Sequence, residues 1–282
     1  MRAGGEPIGA EVPADWLIPD WPVPERVHAL CTTRSGGVSA APFDSFNLGD
    51  HVGDAPWAVA ANRQRLGEVL RAITPHTRPV FLQQVHGVGV QALHADTPDA
   101  TQADASLSTQ YGVACTIMVA DCLPVLFCSA DGAVVAAAHA GWRGLAGAAG
   151  CGVLENTLAA MAQQAGHGNV RAEAPHSKVM AWLGPCIGPT AFEVGAEVRA
   201  AFCAADGEAD RHFAVLPHGK YLADLAGLAR QRLQRAGVTA IYGNDSSALW
   251  CTVGQASRFF SHRRDAARLG SSGRLAACIW RG

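Results

Sequence analysis

Short apolar runs bounded by turn residues alternate with segments of helical periodicity along this chain. Runs of strand length predict eight strands, at residues 79–85, 88–93, 113–119, 124–128, 133–139, 178–183, 238–242 and 274–280. Helical spacing predicts three helices, at about residues 56–71, 145–164 and 193–202. A further amphipathic helix carries Leu222, Leu225, Leu228 and Leu233 and ends at Gly237. Because strands adjacent in sequence mix with strand–helix pairs, the pattern predicts an α+β fold with mixed sheets.

Boundary signals refine this prediction. Asp54 is expected to cap the first helix. The proline-rich residues 1–28 are expected to form an extended lead-in, and no repeat or low-complexity linker divides the rest of the chain. We therefore expect one domain over residues 1–282, a length that can bury a sizeable core.

Composition narrows the classes of function. The chain has 282 residues, 49% hydrophobic and 16% charged, with a formal net charge of −2. This balance gives no electrostatic basis for binding nucleic acid or an anionic membrane surface. No apolar run of bilayer length and no secretory h-region are present, so a cytoplasmic protein is expected. Nine cysteines without a C-x-x-C pair indicate buried thiols in a reducing compartment.

Two strands carry side chains that are unusual in a core. Cys122 precedes the apolar run 124–128, and His139 ends the run 133–139. A four-residue loop at 129–132 places Cys122 directly opposite His139 across the predicted hairpin, whereas a two-residue loop of Asp131 and Gly132 makes the pair diagonal. Either register brings the thiol and the imidazole within reach of each other.

Three interpretations of this pair stay open. Cys122 is a nucleophile with His139 as its base, or both are metal ligands, or both are satisfied core side chains. His86, which follows the strand 79–85 and precedes Gly87, completes a His/Cys/His set. Three protein ligands with a vacant fourth position are typical of catalytic zinc sites.

Several motifs together resemble one family, the laccase-domain or YfiH-like proteins. They occupy residues 32–39, 46–54, 84–87, 120–124, 139–144, 184–189, 192–195 and 259–265. The resemblance implies a four-layer α/β/β/α fold like that of certain cysteine-hydrolase-like toxins. It also implies zinc bound by His86, Cys122 and His139, with Cu²⁺ as the alternative metal. The segment 265–274 is longer than the usual family turn, which puts any role of Arg274 in doubt.

The activity that the resemblance implies is purine nucleoside phosphorolysis. Its substrates are adenosine, inosine, guanosine and methylthioadenosine with phosphate, accompanied by adenosine deaminase activity and, in one bacterial branch, by editing of peptidoglycan precursors. The family's older label is polyphenol oxidase. The His-x-His pairs of a multicopper cluster are absent from this sequence, so only weak oxidase activity, with copper in the zinc site, is expected.

Further residues are candidates for roles in such a site. Arg34 and Arg143 are candidate phosphate ligands, the latter beside the amino end of the helix predicted from Leu145. Gln84 and Asn47 are candidates for hydrogen bonds to substrate or metal ligands. Asp121 is a candidate catalytic carboxylate that supports an imidazole, and Trp142 a candidate for stacking on a base.

Two rival functions remain on sequence grounds. One is a metal-free cysteine hydrolase or amidase with Cys122 as nucleophile and His139 as base. The other is a non-catalytic module that binds a nucleotide or a cell-wall fragment. The sequence does not distinguish a monomer from a homodimer.

Overall fold

The computed structural model of the chain describes residues 11–164 and 178–282. Over these residues the strands are β1 (Val27–Cys31), β2 (Arg78–Phe81), β3 (Val90–Ala92), β4 (Ala105–Ser108), β5 (Val113–Val119), β6 (Leu123–Ser129), β7 (Val135–Ala140), β8 (Val179–Leu183), β9 (Glu193–Val194), β10 (Phe213–Val215), β11 (Tyr221–Ala223), β12 (Ala240–Gly243) and β13 (Leu275–Arg281). The α-helices are α1 (Pro56–Ile73), α2 (Trp142–Ala146), α3 (Val153–Gln164), α4 (Ala196–Cys203), α5 (Leu225–Arg235) and α6 (His262–Leu269).

Two mixed sheets form the centre of the molecule. The first has the order β1-β13-β5-β2, in which only β2 and β5 run parallel. The second has the order β12-β8-β6-β7-β4-β3, with parallel pairs at its two edges. A small antiparallel sheet, β10-β11-β9, lies outside them. The expected mixture of strand directions is confirmed.

Three apolar layers hold the sheets and helices together. Strand β5 shows the pattern, because Ile117 packs between the two sheets whereas Met118 packs beneath α1. The far face of the second sheet is covered by α3, α4 and α5, with Leu158 and Leu228 in that layer. A strand covered on both faces is apolar along nearly its whole length, and every residue of β5 is buried, including its one polar residue, Thr116. The four-layer α/β/β/α arrangement is confirmed.

The predicted helix at 145–164 is two helices in the structure. Helix α2 ends at Ala146, and α3 begins only at Val153. Between them Gly147 and Gly150 have φ values of 61° and 79°, in the left-handed region that only glycine adopts readily. The apolar periodicity extends across this break, which is why it predicted one helix. The expected cap is also wrong, since the N-cap residue of α1 is Ala55.

Six elements were not predicted: β1, β4, α6 and the short strands β9, β10 and β11 of the small sheet. Strand β1 begins inside the expected lead-in and pairs with β13. Strand β4 is built of alanine, serine and leucine and is fully buried. Helix α6 is so rich in charge that Asp265 is its only buried residue. Within the described residues, every helix is too short or too polar to cross a bilayer.

Candidate metal centre and its cavity

The structure brings three distant side chains to one point. His86 lies in the loop after β2, Cys122 directly before β6, and His139 near the end of β7. Their candidate ligand atoms all lie within 4.8 Å of one another. Cys122 Sγ is 3.7 Å from His86 Nε2, and the two imidazole rings meet edge to face with centroids 4.8 Å apart. Among the described residues, this cluster contains no fourth histidine, cysteine or carboxylate.

The hairpin of β6 and β7 adopts the diagonal register. His139 lies opposite Pro124, and Leu123 lies opposite Ala140. The directly opposed register is therefore wrong. Cys122 and Pro124 are two residues apart and share one side of the strand, so the thiol reaches His139 diagonally. The cluster forms because the loop carrying His86 adds the third side chain from another sheet.

Asp104, just before β4, orients two members of the cluster. Its Oδ1 accepts hydrogen bonds from His139 Nδ1 at 2.8 Å and from the His86 backbone N–H at 2.8 Å. Its Oδ2 accepts from the backbone N–H groups of Gly87, at 2.7 Å, and Val85, at 3.2 Å. The side chain is completely buried. His86 has a φ of 60°, and these bonds hold its loop in that left-handed conformation.

Sequence reasoning missed Asp104 and assigned its role to Asp121. Asp121 makes no hydrogen bond to an imidazole of the described residues: its Oδ1 accepts from Thr252 Oγ1 at 2.5 Å and its Oδ2 from the Arg263 backbone N–H at 2.6 Å. The carboxylate of Asp121 therefore links the start of the Cys122 segment to helix α6, through Arg263, and to Thr252, which precedes that helix. Asp104 is 35 residues from His139 and stands alone among small residues, so no spacing signal pointed to it.

Electrostatics favour an ionised thiol. Burial alone would raise the pKa of Cys122, but His139 and then His86 outweigh it and lower this pKa to about 6. Burial alone would lower the pKa of His139, but Cys122 and Asp104 raise it to about 9. Burial opposes ionisation of Asp104 as well, yet the hydrogen bonds from His139 and Gly87 leave its pKa below the usual value. Without metal, the cluster is therefore a thiolate–imidazolium pair at neutral pH.

The donor set fits a transition-metal ion. A tetrahedral ion with bonds of about 2.3 Å to sulfur and about 2.0 Å to nitrogen separates those ligand atoms by about 3.5 Å. The observed Cys122–His86 separation of 3.7 Å agrees with this. Thiolate and imidazole suit Zn²⁺ and copper, and the bond to Asp104 fixes His139 so that Nε2 is the free nitrogen. His86, Cys122 and His139 are thus the residues that could hold the metal.

Gly141 leaves the space that the cluster needs. A Cβ at this position would lie 2.9 Å from His86 Cδ2 and 3.0 Å from Cys122 Sγ. The φ of Gly141 is −67°, which any residue adopts, so glycine is required here for room and not for backbone freedom. Helix α2 begins directly after it.

The cluster opens into a cavity of about 290 Å³. Trp142 and Phe192 give it aromatic walls, and Ile187 and Leu225 add apolar surface. The polar side chains around it are His51, Gln84, Asp121, His262, Arg263 and Arg274. An apolar cavity with a few convergent polar groups and perturbed pKa values is the usual form of a small-molecule site.

Two predicted ligand residues are instead part of the scaffold. Arg34 donates from Nε to Asp44 O and from Nη1 to Ala256 O, and it pairs with the Asp44 carboxylate at 3.1 Å. It lines a separate, shallow pocket. Asn47 is completely buried. Its side-chain Nδ2 donates hydrogen bonds to Gly49 O and Asp54 Oδ2, and its Oδ1 accepts from the backbone N–H groups of Gly49 and Arg274. Both residues are outside the cavity.

The remaining candidates differ in position. Gln84 lines the cavity, while its amide donates to Met118 O and accepts from Met118 N, both at 2.8 Å. Trp142 also lines it. Arg143 is exposed, outside the cavity lining, with its guanidinium 4.5 Å from the Trp142 ring centroid. His51, His262 and Arg274 reach the cavity although sequence reasoning gave them no role.

Known proteins similar to this chain match nearly its whole length. A family model described as multi-copper polyphenol oxidoreductase laccase matches residues 28–282. A Pseudomonas aeruginosa protein named purine nucleoside phosphorylase is 50% identical over 266 residues, covering 94% of this chain and 98% of that protein. The Escherichia coli K12 protein named purine nucleoside phosphorylase YfiH is 47% identical over 265 residues, with the same coverage of each chain.

Solved structures agree with these sequence matches. A crystal structure of a Neisseria meningitidis protein has a TM-score of 0.79 and 44% identity, covering 95% of this chain and 99% of that chain. The crystal structure of the Bacillus licheniformis protein YfiH has a TM-score of 0.78 and 28% identity, covering 91% and 93% respectively.

Proposed function

Since this chain belongs to the family described as multi-copper polyphenol oxidoreductase laccase, and its relatives from Pseudomonas aeruginosa and Escherichia coli are named purine nucleoside phosphorylase, we propose that it is a zinc-dependent purine nucleoside phosphorylase. It cleaves adenosine, inosine, guanosine and methylthioadenosine with phosphate, releasing the free base and ribose 1-phosphate or its methylthio counterpart. Residues 1–282 act as one catalytic domain. The observation that carries this proposal is the His86–Cys122–His139 cluster at the wall of an aromatic cavity.

The family description and the names of the relatives point to different chemistry. A multicopper oxidase needs paired His-x-His motifs to build its copper cluster, and this sequence contains none. A single three-ligand site cannot replace such a cluster. The relatives' names therefore guide the proposal, and copper in the zinc site is kept as a source of weak polyphenol oxidase activity.

Substrate recognition rests on the cavity walls. Trp142 and Phe192 offer aromatic faces on which a purine ring stacks, and Leu225 excludes water from the ribose. Gln84 lines the cavity and is proposed to hydrogen-bond the nucleoside through the amide hydrogen that Met118 does not use. Holding base and ribose in one orientation supplies much of the catalytic advantage of such a site.

The three cluster residues would hold the metal, and the groups around them set the protonation of the side chains that would bind it. Asp104 keeps the proton of His139 on Nδ1, so that Nε2 presents its lone pair to the cluster. His139 and His86 keep Cys122 ionised and able to act as a ligand. Zinc, when bound, supplies a Lewis acid for phosphorolysis and an activated water for deamination of adenosine at purine C6, which we propose as a side activity. The H-x-E and P-C-x-x-C motifs of known zinc deaminases are absent from the sequence.

A second candidate function is favoured by one specific observation. Cys122, His139 and Asp104 are arranged in space like the nucleophile, base and orienting carboxylate of cysteine hydrolases. In that reading the protein is a metal-free amidase, for example for peptidoglycan precursors, and His86 has no necessary role. The exposed position of His86 beside the thiol favours the metal site instead.

Product analysis of the purified protein tests these functions. Zinc-loaded protein is incubated with adenosine in the presence and absence of phosphate, and the products are separated by chromatography. Adenine and ribose 1-phosphate formed only with phosphate support the proposal, and inosine formed in both samples reports deamination. A metal-loaded sample that yields no product contradicts the proposal. Activity on an amide substrate that survives chelation but is lost on alkylation of Cys122 establishes the hydrolase.

A further inference from the structure

Arg274 lines the cavity, and part of its guanidinium makes no hydrogen bond to the described residues. Its Nη1 donates to the carbonyl oxygens of Ser272, at 2.8 Å, and Gly273, at 3.1 Å. Its Nε and Nη2 have no hydrogen-bond partner among residues 11–164 and 178–282. The stem of the side chain passes over Gly49, where a Cβ would lie 2.7 Å from Arg274 Cγ. The guanidinium is therefore anchored on one side and free on the other.

Among the described residues that line the cavity, no other arginine has a free Nε–Nη2 edge. Arg263 also lines it, but its Nη1 and Nη2 donate to Ala191 O and Glu193 O. The two arginines favoured from sequence are excluded for different reasons. Arg34 uses Nε, Nη1 and Nη2 within its own loops, and Arg143 lies outside the cavity lining.

The charge of Arg274 is not neutralised by an ion pair in the described part of the chain. Asp121 and the thiolate of Cys122 are near enough to act on it electrostatically. Both oxygens of Asp121 are already bonded to Thr252 and Arg263. His51 lines the same cavity and is near enough to Arg274 for the two to interact electrostatically, and its Nδ1 lies 3.4 Å from the Asp50 carboxylate. In the described part of the chain, this wall of the cavity therefore carries a cation that has no ion-pair partner, together with hydrogen-bond donors.

We propose that the Nε–Nη2 edge of Arg274, with His51 beside it, forms an oxyanion subsite that binds inorganic phosphate. Two parallel N–H groups of a guanidinium match two oxygens of a tetrahedral oxyanion, which a lysine cannot imitate. That the bound anion is phosphate follows from the proposed phosphorolysis, whereas the existence of an oxyanion subsite follows from the hydrogen bonds of Arg274 alone. The subsite lies in the same cavity as the metal cluster, so phosphate bound there lies beside a nucleoside held by the aromatic walls.

Binding of phosphate alone tests the subsite without any turnover. Titration of the zinc-loaded protein with inorganic phosphate is followed by calorimetry for the wild type, Arg274→Gln, Arg274→Lys and the surface control Arg268→Gln. The loss of two charge-assisted hydrogen bonds is expected to weaken phosphate binding by about 10- to 100-fold in both Arg274 variants. Arg268 is exposed on α6 outside the cavity lining, and its variant is expected to bind like the wild type.

Circular dichroism and zinc content show whether each variant is folded. If Arg274→Gln does not fold, Arg274→Lys, which keeps the aliphatic stem and the charge, tests whether phosphate binding needs the guanidinium. Wild-type affinity in a folded Arg274 variant overturns the proposal, as does a wild-type protein that binds no phosphate. Loss of phosphate binding in Arg34→Gln or Arg143→Gln with Arg274→Gln unaffected also overturns it.

Steady-state kinetics separate the subsite from the proposed function. In phosphorolysis, Arg274→Lys is expected to raise the KM for phosphate by about 10-fold or more while changing the KM for adenosine little. A KM for phosphate equal to that of the wild type overturns the subsite and leaves phosphorolysis standing. Phosphate binding that depends on Arg274 in a protein without phosphorolysis leaves the subsite standing and removes the proposed function.

Discussion

The carboxylate of Asp104 lies 2.8 Å from Nδ1 of His139, and the same oxygen accepts a hydrogen bond from the backbone of His86. One buried side chain thus positions two of the three cluster residues, which come from different sheets. Asp104 also accepts from Gly87 and Val85, so the loop that carries His86 closes around it. The arrangement of the cluster therefore depends on a residue that is itself no candidate ligand.

Replacing Asp104 is expected to loosen the metal site. In Asp104→Asn, one of the two accepting oxygens becomes an NH2 group that faces N–H donors, and the negative charge that holds the proton of His139 on Nδ1 is lost. Loss of such a support typically lowers metal affinity by about 10- to 100-fold. The affinity for zinc, measured by competition with a chromogenic chelator, checks this. Asp96→Asn, at an exposed position, is the matched control, and equal affinity in the two variants would refute the role of Asp104.

Gly141→Ala is expected to damage the cluster through volume alone. The added methyl group would overlap His86 Cδ2 and Cys122 Sγ, which must move apart. Overpacking of this kind costs about 1–3 kcal/mol of stability, and zinc binding and activity fall with the displaced ligands. Gly207→Ala is the control because a Cβ there meets no atom within 4 Å. Zinc content and thermal unfolding of both variants are measured, and normal zinc content in Gly141→Ala contradicts the prediction.

The thiol of Cys122 is expected to be reactive at unusually low pH in the metal-free protein. Burial opposes its ionisation, but His139 and His86 lower its pKa to about 6, so the thiolate is present above that pH. Alkylation by iodoacetamide, quantified by mass spectrometry of peptides, should reach half its maximal rate near pH 6. Cys203, whose pKa is raised by burial, reacts only at higher pH and serves as the internal comparison. Equal pH profiles for the two cysteines would exclude a thiolate–imidazolium pair.

Removing the aromatic side chain of Trp142 is expected to weaken binding of the nucleoside and to leave binding of phosphate unchanged. Stacking on an aromatic side chain contributes about 1–3 kcal/mol per base, so Trp142→Leu should raise the KM for adenosine by about 10-fold or more. The KM for phosphate should stay near that of the wild type. Trp57→Leu is the control, since Trp57 on α1 is 68% exposed and outside the cavity lining. An unchanged KM for adenosine in Trp142→Leu removes that residue from the binding site.

Elements that carry a continuous apolar run were predictable, and the loops that complete the site were not. Strand β5 is buried on both faces and was found from its composition, and Cys122 and His139 were drawn together by their hairpin. The register itself was ambiguous, since both loop lengths satisfy the same turn signal. Helix α6 was missed because it is stabilised by capping and ion pairs and carries little apolar surface.

The polar residues of the site were harder to assign because sequence does not show which hydrogen bonds are already satisfied. Arg34 and Asn47 lie in glycine-containing stretches typical of binding loops, yet their side chains hold those loops together. Asp104 and Arg274 are distant in sequence from the residues with which they act. Their roles appear only when partners and burial are known atom by atom.

The central claim is that His86, Cys122 and His139 bind one metal ion and leave one coordination position facing the cavity. A crystal structure of the zinc-loaded protein, with anomalous data collected at the zinc edge, tests it most directly. A single peak is expected about 2.0–2.3 Å from Cys122 Sγ and from one nitrogen of each histidine, with water or substrate as the fourth ligand. A peak elsewhere, or a fourth ligand from the protein itself, would contradict it.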